Sequence, residues 1–183
     1  LILLENLSFF EGIKNGDLVF EHINSGDKRN GTLIIENFNL YKAPLFAKIL
    51  SLADLKGLFD LLNNQGISFE KLNINYEIKE NEIEIKEIFA NGSSMTLLMD
   101  GYYDEKNKII SLSGDIIPAK MLNNLISRIP VVGEILAGDQ EKGEGVFGVS
   151  FKIKGSENDL KTYVNPIKTA TPRFIRKFIK EKK

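Results

Sequence analysis

Along much of the chain, apolar and polar residues alternate with a period of two. Leu72, Ile74, Tyr76 and Ile78 interleave with Asn73, Asn75, Glu77 and Lys79, and Ile83 and Ile85 interleave with Glu82, Glu84 and Lys86. Successive side chains of a strand point to opposite faces, so this pattern predicts half-buried strands. Phe147, Val149, Phe151 and Ile153 repeat it against Gly148, Ser150, Lys152 and Lys154, and residues 97–103 and 109–117 follow it less cleanly. Strands are expected near residues 17–23, 31–41, 69–79, 82–91, 95–104, 107–117, 145–155 and 159–164. The connections at 79–81 and 104–107 are rich in turn formers and too short for a crossover helix, so neighbouring strands should pair antiparallel in a meander.

Three stretches change period. Leu45, Ile49, Leu52, Leu55, Leu58, Phe59 and Leu62 recur at helical spacing between Pro44 and Gly66, as one broken helix or two. Pro118 suits a first helical position before Met121, Leu122, Leu125 and Ile126, and a short helix over 131–136 would end at Gly138. A third helix is expected over 172–182. The fold class that follows is α+β: an antiparallel, strongly twisted β-meander of seven or eight strands, curved like a groove, with helices at one end or face. The chain reads as a single domain over 1–183. Leading strands occupy 1–30, a sheet with helical insertions 31–167, and a basic amphipathic helix 168–183. In this register Ile74, Tyr76, Ile78, Ile83, Ile85, Leu97, Met99, Phe147, Val149 and Phe151 line the inner face.

Composition narrows the function more by exclusion than by indication. With 43% apolar and 27% charged residues the chain can bury a core. Twenty-four Lys and Arg against 25 Asp and Glu leave no global basic field, which argues against nucleic acid as a partner. The absence of cysteine excludes a disulfide, a thiol nucleophile and a thiolate zinc site. The single histidine, His22, lies on an expected strand without a second imidazole for a metal. The loop 138–145 resembles a phosphate loop in its glycine spacing, yet Glu144 stands where the lysine should be and Asp139 and Glu141 would repel phosphate. The carboxylates between Glu77 and Glu87 alternate with isoleucines, which places them on a solvated strand face rather than in an acid–base pair. Asn91, Gly92 and Ser93 match the glycosylation pattern but read as a turn. No enzyme, cofactor or metal site is expected. The apolar runs are short, as at 129–136 with Pro130 and Gly133, and none suits a spanning helix. A start at Leu1 without a signal-like series suggests a fragment of a larger protein.

Charge is concentrated at one end. Lys168, Arg173, Arg176, Lys177, Lys180, Lys182 and Lys183 face only Glu181, so residues 168–183 carry +6 and the rest of the chain −7. On a helix begun at Pro172, Phe174, Ile175, Phe178 and Ile179 form one stripe beside Arg173, Arg176, Lys177 and Lys180. Such a helix either caps the open end of the sheet or docks on anionic headgroups.

From Gly31 to Ile179 a series of motifs recurs in a familiar order. They are Ala43-Pro44-Leu45 with Ile49-Leu50, Gly57-Leu58 to Leu62, and Gly114-Asp115-Ile116-Ile117-Pro118-Ala119 with Leu122-Asn123-Asn124-Leu125. Ile129-Pro130-Val131-Val132-Gly133-Glu134-Ile135-Leu136, Gly143-Glu144-Gly145-Val146-Phe147, Val164-Asn165-Pro166 and Thr171-Pro172-Arg173-Phe174 follow. In these the chain resembles the AsmA-like C-terminal region of large bacterial envelope proteins, the YhdP, AsmA and TamB group. It departs from the family at Lys120, where an aromatic is common, at Ser127, where glycine is common, and at the charged run 156–159. The family's motifs are structural and transfer no catalytic residue.

The resemblance implies a periplasmic place in the bacterial cell envelope behind an inner-membrane anchor, a long curved β-groove, and transport of phospholipid between inner and outer membranes. The implied partners are phospholipid acyl chains, a membrane surface met by the C-terminal helix, and other envelope proteins. The alternative is a non-conducting assembly or docking module for outer-membrane biogenesis. An open trough would favour the first, and helices filling the concave face the second.

Overall fold

A computed structural model of the chain describes residues 12–25, 28–120, 148–156 and 159–167. Among them, nine strands form one open antiparallel sheet: β1 (Ile13–Lys14), β2 (Asp17–Ser25), β3 (Lys28–Leu40), β4 (Ile67–Lys79), β5 (Glu82–Gly92), β6 (Met95–Asp104), β7 (Ile109–Pro118), β8 (Gly148–Ser156) and β9 (Asp159–Ile167). Two helices, α1 (Pro44–Leu52) and α2 (Lys56–Asn64), interrupt the meander between β3 and β4. This is the expected α+β meander with one strand more, because β1 and β2 both pair with β3, opposite its two ends. Asn15 and Gly16, both at positive φ, break what would otherwise be one edge strand. The helical stretches expected over 118–137 and 172–182, and the loop 138–145, lie outside the described residues, except that Pro118 closes β7 and is not a first helical residue; the helix begins at Ala119.

The helical stretch divides at Ala53–Leu55, where Asp54 takes a left-handed conformation that stops α1 and restarts the chain as α2. Neither helix has a side-chain N-cap, an acidic first turn or a basic last turn. At nine residues each they are shorter than the roughly 12–15 an isolated helix needs, so burial of Leu45, Phe46, Ile49, Leu50, Leu58 and Leu62 holds them. That burial is against the sheet. α2 packs on β4 while α1 reaches β9, five strands away. In a flat sheet those strands would stand about 24 Å apart, more than a helix pair bridges by side contact, so the sheet curls around the hairpin.

Two irregularities set which residues face inward. In β5, alternation slips by one residue between Ile85 and Ile88, so Ile83, Ile85, Ile88 and Ala90 all face the same side. In β3, Asn37 at positive φ does the same for Ile35 and Phe38. The inner face of β3 to β8 and the apolar faces of both helices then form one continuous cluster.

Candidate functional site: a curled apolar face and a polar hollow behind it

The inner face is built from residues that meet in register across the sheet. Leu72 lies opposite Ala90, Ala90 opposite Leu97 and Leu97 opposite Ile116; one step along, Ile74 is followed by Ile88, Met99, Gly114 and Phe151. Of the ten residues expected there, Ile74, Tyr76, Ile83, Ile85, Leu97, Met99, Val149 and Phe151 are buried, and Ile78 is partly buried against the core. Phe147 lies outside the described residues, as do Arg173, Phe174, Ile175, Arg176, Lys177, Phe178, Ile179 and Lys180 of the basic segment. Sequence reasoning passed over Leu33, Ile35, Ile88 and Leu112, which belong to the same buried cluster. For Ile88 the signal was present in the paired Lys86 and Glu87, which break the alternation where the bulge falls.

Gly114 leaves the space that Met99 and Phe151 fill. A Cβ at Gly114 would come within 2.6 Å of Met99 Cγ and 2.7 Å of Phe151 Cζ. Gly31 has a matching role nearer the edge, where Tyr76 lies across it. A Cβ there would fall 2.2 Å from the Tyr76 ring and hydroxyl, and Tyr76 in turn stacks on His22, which stacks on Phe20. Burial pushes the Tyr76 phenol above its ordinary pKa, and its hydroxyl sits 3.4 Å from His22 Nδ1.

Both α1 and α2 lie against the concave side, α2 on β4 and α1 reaching β9. The space left between Phe46 of α1 and the sheet residues Phe38, Phe69, Leu72, Ile88 and Met99 is a small apolar cavity of about 30 Å³. At the β2 edge the apolar surface continues into solvent. Leu18 and Phe20 register opposite Ile35 and Leu33 on the inner side, yet are 55% and 49% exposed.

The outer face departs from the uniformly charged surface that alternation suggests. Near the hairpin of β4 and β5 it is charged, with Glu77 directly opposite Glu84. Lys86 relieves that repulsion, at 3.1 Å from Glu77 and 2.7 Å from Glu84, and Lys79 also pairs with Glu84. The hydrogen bonds from Lys79 and then Lys86 hold the Glu84 carboxyl below its ordinary pKa. Towards the other end, Phe89, Leu98, Thr96 and Ile117 face the outer side and are buried as well, so β6 is covered on both faces from Met95 to Met99. The run Leu97-Leu98-Met99 is the mark of this in the sequence.

Beside that patch lies a hollow of about 350 Å³ on β6 to β9, lined by Asp100, Ser113, Asp115, Ser150, Lys152 and Tyr163 among others. Ser150 Oγ donates to Asp115 at 2.6 Å. Among the described residues there is no group of three or more His, Cys, Asp or Glu placed to hold a metal, and no helix long and apolar enough to cross a membrane. Comparison with protein families, with curated proteins and with solved structures finds no match to this chain.

Proposed function

We propose that this chain is a C-terminal segment of an inner-membrane-anchored periplasmic bridge that carries phospholipid between the inner and outer membranes, its inner face receiving acyl chains. The observation that supports this is the apolar inner face, continuous from β3 to β8 and running through Leu18 and Phe20 to an exposed edge. The AsmA-like motifs supply the envelope context. An acyl chain of about 15 methylenes costs roughly 12 kcal/mol to expose to water, so a bridge needs an apolar lining of this kind. The basic segment at 168–183 would meet anionic headgroups, and the partners are phospholipid and a membrane surface, with no nucleic acid and no cofactor.

A second reading has its own support. With α1 and α2 seated on the inner face and only about 30 Å³ left open beneath Phe46, the unit also suits a non-conducting docking or assembly module in outer-membrane biogenesis. Native mass spectrometry of the purified chain separates the two. Co-purifying phospholipid, one or two molecules per chain, is the expected result. A lipid-free chain that also binds none from added short-chain phospholipid would overturn the transport reading and leave the docking module.

A further inference from the structure

We infer that the α1–α2 hairpin is a displaceable occupant of the inner face, and that the cleft under Phe46 is where an acyl chain takes its place; this rests on the lipid reading above. Three independent observations bring the hairpin to this role. Its helices have no side-chain N-cap and are too short to stand alone, so they depend on the sheet surface they cover. It is bracketed by left-handed residues, Lys42 before Ala43 and Gly66 after Gln65, so the segment between can swing by dihedral changes at two points without disturbing β3 or β4. Its packing on the sheet leaves a cavity between Phe46 and Phe38, Phe69, Leu72, Ile88 and Met99.

Backbone hydrogen bonds close the base of the hairpin. Lys42 N–H donates to Leu62 O at 3.0 Å, and Gly66 N–H to Leu61 O at 2.7 Å. Beyond them, apolar burial dominates, and burial has no direction. An acyl chain offers the sheet the same kind of surface as Leu45, Phe46, Ile49 and Leu50, so exchange trades one apolar cover for another. The sheet itself, held by ladder hydrogen bonds from β3 to β9, has no reason to open.

The test is hydrogen exchange on the whole chain with and without a lysophosphatidylglycerol carrying a 16-carbon chain. Displacement predicts that amides of 45–52 and 56–64 exchange at least tenfold faster with the lipid bound, while those of β5 to β7 are unchanged or slower. Phe46→Ala, which loosens the hairpin's hold while leaving every sheet residue in place, should bind the same lipid several-fold more tightly. Lipid bound with the helices unchanged or slowed, or weaker binding by Phe46→Ala in a folded chain, would overturn the displacement and leave the lipid reading standing. No binding at all would overturn both.

Discussion

Replacing Met99 by glutamate distinguishes a dry interior from a wet groove. Met99 is 1% exposed, and its register partners Ile88 and Gly114 and the adjoining Phe151 offer no counter-charge. A carboxyl placed there stays protonated in the folded chain, as buried acids with pKa values of about 8–9 do. It ionises freely once unfolded, near pH 4.3. Each pH unit above that value is worth about 1.4 kcal/mol, so at pH 7 the charge alone costs about 3 to 4 kcal/mol. Because the folded pKa is the higher one, this cost vanishes below the unfolded pKa and grows as pH rises. Met99→Gln serves as the reference, since it is polar and of similar size but does not titrate. Urea unfolding followed by circular dichroism between about pH 4.5 and 7 gives the comparison. The two variants should be equally stable at the acid end, with the glutamate variant falling behind by about 3 kcal/mol at neutral pH. A gap that stays under about 1 kcal/mol throughout would mean that water reaches Met99, and would refute the description of a filled core.

Three further outcomes follow from local geometry. Gly31→Val should destabilise by about 1–3 kcal/mol in thermal or urea unfolding, since its Cβ displaces the Tyr76 ring from its place beside His22. Glu84→Gln removes a carboxyl whose folded pKa is lowered by Lys79 and Lys86, a contribution present above the unfolded pKa and lost as pH falls through the folded one. Melting temperature should therefore fall less steeply below the ordinary carboxylate range in this variant than in the parent, and identical acid limbs would discount the pairing. Deleting residues 168–183 should abolish a salt-sensitive association with anionic vesicles in co-sedimentation; an unfolded remainder would identify the segment as a cap on the sheet instead.

The sheet was legible in the chain because each strand's alternation is a local property. The residues that meet at 72–79 and 82–85 carry their facing in their own spacing, and the short turns at 79–81 and 104–107 leave antiparallel pairing as the practical connection. The inner position of Ile74, Tyr76, Met99 and Phe151 is determined by sequence for the same reason. Alternation does not report where a strand bulges, how far a sheet curls, or what sits against it. The slip at Lys86–Glu87 brings Ile88 and Ala90 inward, and the patch at Phe89, Leu98 and Ile117 buries part of the outer face. The helical spacing of 44–64 announced an apolar stripe, on one broken helix or two, without saying which surface it would cover. Only the tertiary structure placed α1 and α2 inside the curl, between β4 and β9, because burial is a non-directional force satisfied by whichever apolar surface the closed chain brings within reach.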